Sequence, residues 1–255
     1  MMLKNKVVII TGASSGIGYA AAKLFARKGG KLVLTGRRKE LLDGLAAEIT
    51  QIGGHATVKA GDVRDESHAK ALVECALDTY GGLNAAFNNA GIIGVGKALA
   101  EMSLTEWRET LDVNLTSAFL AAKYQMRVML KQGRGSIIFT SSFVGHTVGL
   151  ANHSDYAASK AGLLGLSKAL AAEAGPRGVR VNALLPGGTD TPMNFANNPD
   201  AGPEVQAFVN NIHALKRMAS PEEIAMSALY LAGDSSSFVT GTALLADGGA
   251  SITVT

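Results

Sequence analysis

Val7-Val8-Ile9-Ile10-Thr11-Gly12-Ala13-Ser14-Ser15-Gly16-Ile17-Gly18 is the stretch on which the fold turns. Four apolar β-branched residues in a row suit a strand buried on both faces, and the Gly/Ser cluster beyond Thr11 demands a tight reversal. From Ile17 to Arg27 the apolar positions take a helical period, so the segment reads as strand, turn, helix. Such a junction offers the unpaired N–H groups and partial positive charge of a helix N-terminus, which is where a dinucleotide pyrophosphate is held. Gly12 permits the turn, Gly16 lets the backbone approach phosphates and Gly18 lets the helix pack closely. Ser14, Ser15 and Ile17 complete this candidate cofactor-binding loop. The spacing is G-x-x-x-G-x-G, not G-x-G-x-x-G. Gly12 to Gly16 also fits the G-x-S-x-G elbow of a hydrolase with Ser14 as nucleophile, but that elbow needs earlier strands and an oxyanion loop before it. A P-loop is excluded, because no Gly-Lys-Ser/Thr follows.

Working outward, short apolar runs recur at Val7–Ile10, Leu32–Thr35, Ala56–Ala60, Ala85–Asn88, Ser136–Thr140, Val179–Leu184 and Ala243–Ala246. Helix-period segments separate them at Ile17–Arg27, Glu40–Ile52, Glu66–Tyr80, Thr105–Leu130, Tyr156–Ala174 and Pro221–Ala232. The alternation predicts an α/β protein with a doubly wound, seven-stranded parallel sheet and helices on both faces. No low-complexity stretch divides the chain, so one domain over residues 1–255 is expected. A net charge of +3, with Arg37-Arg38-Lys39 as the longest basic cluster, argues against a nucleic-acid partner. The first apolar run is too short for a signal peptide and no membrane span is predicted, so cytoplasmic residence is expected. One cysteine, Cys75, allows neither an intrachain disulfide nor a thiolate cage, and it reads as core. His55, His68, His146, His153 and His213 show no metal-ligand spacing, and no metal is predicted.

The second strand ends Leu34-Thr35-Gly36-Arg37-Arg38, about twenty residues beyond the glycine turn, where an acid would bond the ribose 2′-hydroxyl of NAD. No acid is there. Gly36 leaves room, and Arg37, with Arg38 beside it, can fork onto a 2′-phosphate, which favours NADP(H) over NAD(H). Tyr156 and Lys160 lie four apart and would share one helix face. An ammonium that close, with an oxidised nicotinamide ring nearby, is expected to favour the phenolate of Tyr156 and make it an acid/base at neutral pH.

Together these residues resemble the short-chain dehydrogenase/reductases over nearly the whole chain, from Lys6 to Gly249. The likeness is carried by Thr11–Gly18, Asp62-Val63, Asn88-Asn89-Ala90-Gly91, Asn114, Ser141-Ser142, Tyr156-Ala157-Ala158-Ser159-Lys160 and Pro186-Gly187-Gly188-Thr189-Asp190-Thr191, in the family's order. The resemblance implies a Rossmann fold and hydride transfer between a nicotinamide and a carbonyl or secondary alcohol. It further implies a catalytic group of Asn114, Ser142, Tyr156 and Lys160. In it Tyr156 moves the proton, Lys160 bonds the nicotinamide ribose, Asn114 holds a water and Ser142 polarises the carbonyl, with Ser141 the alternative for the last role. Asp62 and Val63 would meet the adenine, Asn89, Ala90 and Gly91 would wall the cofactor, and Pro186, Gly187, Thr189 and Thr191 would form the loop at the carboxamide. Asn88 has a structural reading as a pin between strands.

The stretch Pro192 to Leu215 resembles the family's substrate lid, expected around residues 190–215. Phe143, Val144, His146 and His153 lie between Ser142 and Tyr156 and are pocket-wall or plain loop residues. Trp107 and the helices Thr105–Leu130 and Tyr156–Ala174, apolar on more than one face, fit a homotetramer by family analogy. The nearest named activity is that of bacterial 3-oxoacyl-carrier-protein reductases, while sugar, steroid or small xenobiotic carbonyls remain physically open. The contrasting readings are an NADP(H)-binding regulatory protein without turnover and a Ser14 hydrolase.

Overall fold

The structure is a computed structural model that describes residues 2–253; residue 1 and residues 254–255 of the expected domain lie outside the described residues. The elements run β1 (Val7–Thr11), α1 (Gly16–Arg27), β2 (Lys31–Thr35), α2 (Lys39–Gln51), β3 (His55–Val58), α3 (Glu66–Tyr80) and β4 (Ala85–Asn88). Next come α4 (Leu104–Leu111), a π-turn (Asp112–Thr116), α5 (Ser117–Gln132), β5 (Gly135–Thr140), α6 (Ser154–Ala174) and β6 (Val179–Pro186). A 3-10 turn (Phe195–Asn197), α7 (Pro203–Asn211), α8 (Pro221–Ala232) and β7 (Ala243–Ala246) complete the fold.

All seven strands join one parallel sheet in the order β3-β2-β1-β4-β5-β6-β7. The winding reverses between β1 and β4, where Ile10 pairs with both Leu34 and Phe87, and the carboxyl ends of these strands open a crevice. The alternation of side chains along β1 explains the unbroken apolar run. Val8 and Ile10 join Phe25, Leu34, Leu45, Phe87 and Leu229 under α1, α2 and α8, whereas Val7 and Ile9 join Leu72, Met126, Ile137, Phe139 and Leu163 under α3, α5 and α6. Burying one such side chain stabilises by about 1.5–3 kcal/mol, so the two cores hold the strand ends in place from both sides.

Helix ends follow local chemistry. Ser103 and Ser220 cap α4 and α8 in reciprocal boxes with Glu106 and Glu223, and Asp65 caps α3 by accepting from the amide of Ser67. The structure departs from the sequence reading at several element ends and within the lid. β3 runs His55–Val58 rather than Ala56–Ala60, because its pairing with Lys31 to Leu34 of β2 ends there. The single helix expected over Thr105–Leu130 is interrupted by the π-turn, where backbone bonds lengthen by one residue around Asn114. The lid segment contains α7, whose signal was Pro203 at its first position followed by Glu204. Cys75 is half-buried at the margin of the second core rather than within it. Among the described residues no helix is long and apolar enough to cross a membrane.

Candidate active site

A cleft of about 780 Å³ opens over the carboxyl ends of the strands. Its floor begins at the glycine turn. Gly12 has φ +67° and Gly16 φ +54°, a left-handed backbone that residues with a Cβ rarely adopt. Gly18 does not line the cleft; a Cβ there would stand 2.2 Å from the Gly12 carbonyl oxygen, so its role is the close packing of α1 beneath the turn. Thr11 was not among the expected site residues, yet its hydroxyl accepts from the amides of Asn89 and Ala90, both at 2.9 Å. The Asn89 side chain then donates to the Thr11 carbonyl at 3.3 Å and accepts from the Thr140 hydroxyl at 3.1 Å. The ends of β1, β4 and β5 are thereby held in one hydrogen-bonded line. The threonine that closes the first strand was the available signal.

Ser14, Ser15, Gly16, Ile17, Arg37, Arg38, Asp62, Val63, Asn89, Ala90 and Gly91 all line the cleft, as do Pro186, Gly187, Thr189 and Thr191. Arg38 rather than Arg37 reaches across to the turn: its guanidinium donates to Ser14 at 2.8 Å and to Ser15 at 2.8 Å. The hydroxyl of Ser14 therefore faces an arginine, not the histidine that a hydrolase would require. Asp62 accepts from the Arg64 guanidinium and amide at 2.7–3.1 Å, and these bonds, with Arg37 adding a smaller attraction, hold its carboxyl down at about 2. The fit to a dinucleotide is tested by these features: a left-handed glycine turn at a helix N-terminus and two arginines just past the end of β2, with Asp62 near enough to Arg37 to feel its charge. They suit the pyrophosphate and ribose of a dinucleotide.

Deeper in, Ser142, Tyr156 and Lys160 converge on the cleft and are all buried. Tyr156 and Lys160 occupy one face of α6, with the ammonium 5.6 Å from the phenol ring centre. Lys160 Nζ donates to the Thr140 carbonyl at 2.8 Å, and burial pushes its pKa down to about 8. Burial also pushes the Tyr156 phenol up, opposed only by a hydrogen bond from Ser142. This upward push comes from the chain's own groups, whereas the expectation of an acidified phenol also drew on the positive ring of an oxidised nicotinamide. The two serines separate cleanly. Ser141 donates to the Lys160 carbonyl at 2.7 Å and so pins α6 to β5, while Ser142 stands beside Tyr156 and accepts from the Val144 amide at 3.1 Å.

Asn114 lies under the cleft at the π-turn. Its amide donates to the Ile92 carbonyl and the Ser159 hydroxyl, each at 2.9 Å, and accepts from the Ile92 amide at 2.8 Å. A Cβ on Gly91 would fall 3.0 Å from Asn114 Oδ1 and 3.2 Å from Lys160 Nζ, so bare backbone separates the two side chains. Asn88 exchanges paired bonds of 2.9 Å with Gln125 below the site and so fastens β4 to α5, rather than pinning two strands together as its structural reading had it.

The remaining wall is apolar, with Ile93, Val148, Leu150, Met193, Phe195 and Phe208 prominent. Phe143 and Val144 belong to it, whereas His146 and His153 do not; the His153 ring instead packs 6.5 Å from that of Phe195. The charged residues of the cleft are Arg37, Arg38, Asp62, Arg64 and Glu109 at the β2–β3 end, and Lys160. Among the described residues no three His, Cys, Asp or Glu side chains gather as a metal-ligand set.

A family model described as enoyl-(acyl carrier protein) reductase matches residues 12–251. The chain is 41% identical over 249 residues to a 2,5-dichloro-2,5-cyclohexadiene-1,4-diol dehydrogenase of Sphingobium indicum, covering 97% of each protein. It is 37% identical over 244 residues to a cyclohexanol dehydrogenase of an Acinetobacter species, covering 96% of this chain and 94% of that one. Among solved structures, levodione reductase superposes with a TM-score of 0.94 at 32% identity, over 99% of this chain and 100% of that one. A short-chain dehydrogenase of Burkholderia cenocepacia in complex with NADP superposes with a TM-score of 0.90 at 32% identity, over 98% and 99% of the two chains.

Proposed function

Because the chain belongs to the short-chain dehydrogenase/reductase family, whose members named above act on alcohols and carbonyls, we propose that it interconverts a compact alicyclic secondary alcohol and its ketone with NADP(H). The observation that carries this reading is the meeting of Tyr156, Ser142 and Lys160 at the inner end of a cleft whose other wall is apolar and without a charged side chain beyond Lys160. Such a wall suits a neutral ring body and offers nothing to the charged head of an acyl-carrier arm. The cyclic alcohols in the names of the relatives support the same class over a 3-oxoacyl thioester.

When bound, the nicotinamide supplies or removes the hydride. The protein's part is position and proton traffic. Ser142 donates a hydrogen bond to the substrate oxygen, and the neutral phenol of Tyr156, favoured by burial, protonates that oxygen as it gains charge. In the oxidising direction the same phenol must first lose its proton, so oxidation is expected to rise toward alkaline pH. Lys160, with its pKa at about 8, carries an ammonium at neutral pH that favours the phenolate and bonds the cofactor ribose. Arg37 and Arg38 bind the 2′-phosphate, Asp62 and Val63 border the adenine, and Thr189 and Thr191 meet the carboxamide. The segment 190–215 acts as the lid, and exposed Phe119 on α5 supports assembly as a homotetramer.

A panel of cyclohexanol, cyclohexanone, their methyl derivatives and an acetoacetyl thioester, followed by NADPH and NADH absorbance, tests the reading. Turnover of the cyclic compounds is expected, and Tyr156→Phe should lower it by about 10²–10⁴-fold with NADPH binding unchanged. Unaltered turnover in that variant would remove Tyr156 from the chemistry, and thioester turnover alone would overturn the alicyclic class.

A further inference from the structure

His213 lies just past the end of α7 and is wholly buried, behind the cleft wall rather than in it. Its ring occupies a berth left by missing side chains. A Cβ on Gly187 would stand 2.9 Å from His213 Nε2, one on Gly188 2.8 Å from its Cε1, and one on Gly248 3.4 Å from its Cδ2. The Phe143 ring closes the berth, 6.5 Å away and tilted by 49°. Four segments therefore meet on this one imidazole: those following β5, β6 and β7, and the lid helix α7.

Both ring nitrogens are engaged. The Gly188 amide donates to Nε2 at 2.9 Å, and Nδ1 lies 2.7 Å from the Val209 carbonyl oxygen. A backbone amide can only donate and a carbonyl can only accept, so the ring is neutral with its proton on Nδ1. The two partners serve different ends of the cleft. Val209, with Phe208 and Ile212, lines the substrate end from α7, whereas Gly188 stands between Gly187 and Thr189 in the loop that follows β6. That loop is further braced by the Ala219 amide donating to the Gly188 carbonyl at 2.9 Å, which leaves the Gly188 N–H to His213 alone.

We propose that His213 is a positioning residue that locks the coenzyme loop through Nε2 and the lid helix through Nδ1, so that one imidazole sets each wall of the cleft by its own bond. The inference rests on the reading above that residues 186–191 receive the carboxamide end of the coenzyme. It adds that coenzyme affinity depends on the Nε2 bond and substrate affinity on the Nδ1 bond.

Two variants part these bonds. His213→Gln keeps an acceptor for Gly188, because its Oε1 replaces Nε2, but loses the donor to Val209. His213→Asn keeps the donor to Val209, because its Nδ2 replaces Nδ1, but loses the acceptor. NADPH dissociation constants from fluorescence titration need no substrate, and the KM for cyclohexanone reads the other end. The expected pattern is crossed. His213→Asn should weaken NADPH by about tenfold and leave the ketone KM within about threefold, and His213→Gln should do the reverse. A residue that merely fills space would move both constants together in both variants, and that result, or no change in either, overturns the proposal. Nitrogen-15 spectra of the histidine-labelled wild-type protein give a check that does not depend on variants folding. They should show a buried imidazole protonated on Nδ1 whose signal shifts on adding NADPH, and an Nε2–H tautomer or an unmoved signal would overturn it. Wild-type protein that binds neither NADPH nor NADH would sink the functional reading and this one with it, whereas normal binding with an uncrossed pattern sinks only the lock.

Discussion

Lys160 shows what the site costs. Its ammonium is buried against a single carbonyl, and its pKa falls from 10.5 to about 8 because the charged form is desolvated. Between those two values the unfolded chain holds a proton at this position that the folded chain has released, so this group makes stability rise with pH across that window. Lys160→Met lacks the slope. Urea midpoints of wild type and variant, compared from pH 7.5 to 10.5, should therefore converge or cross in the wild type's favour as pH increases, and a constant difference would mean the ammonium is not desolvated. Arg38 is the other residue whose role can be read from its contacts, since it faces Ser14 and Ser15 across the entrance to the turn. A charge-assisted hydrogen bond is worth about 1.5–3 kcal/mol. Arg38→Ala is expected to raise the KM for NADPH by roughly tenfold to a hundredfold and that for NADH by less than about threefold. Equal losses for both coenzymes would show that the guanidinium only braces the loop.

At the scale of elements, α6 carries Tyr156 and Lys160, the proposed catalytic pair, and its first turn is fastened by Asp155. This fully buried carboxylate accepts from the Thr110 hydroxyl of α4 at 2.7 Å and from the Tyr156 amide at 2.8 Å. It also sits at the positive end of the helix, where an anion is favoured. Asp155→Ala would leave the Tyr156 amide without an acceptor in the interior and Thr110 with only its longer bond to the Glu106 carbonyl at 3.3 Å, and a loss of about 1–3 kcal/mol in unfolding free energy is expected by denaturant titration. A change under 0.5 kcal/mol would show that water or a neighbour replaces it. The π-turn does related work for Asn114: one extra residue in the helical circuit places its amide against both Ile92 and Ser159, joining the segment after β4 to α6. Helix periodicity alone reports the flanks of that turn and not the turn itself, because apolar spacing changes little over five residues. α7 was hidden for a different reason. Its neighbours Asn197, Asn198, Pro199 and Gly202 read as loop, and Pro203 signals a helix start only once the chain around it is known to be packed.

For the whole molecule, the sheet order places every cleft residue at the carboxyl edge, while the opposite surfaces keep apolar side chains in view. Leu104 on α4 and Phe119 on α5 are 60% and 49% exposed, a pairing of helices that suits contact with further copies of the chain. Sedimentation is expected to give a mass of four chains, and Phe119→Glu to shift it to smaller species while the circular dichroism spectrum holds. A wild-type monomer would refute the tetramer.

What the amino-acid order determined by itself was the strand–helix alternation, the glycine turn and the four-residue spacing that sets Tyr156 and Lys160 on one helix face, because each is written in neighbouring residues or in a short fixed spacing; Asn114 and the Ser141-Ser142 pair entered by family resemblance. The choice between Ser141 and Ser142 needed tertiary structure, since only packing shows that one hydroxyl turns into α6 and the other toward the phenol. The burial of Tyr156 and the placing of Arg38 were decided there too, because desolvation and hydrogen-bond reach depend on what lies around a group in space. His213 is the clearest case. Nothing in its sequence neighbourhood distinguishes it, and its berth exists only where Gly187, Gly188 and Gly248, far apart along the chain, are brought together by two adjacent strands.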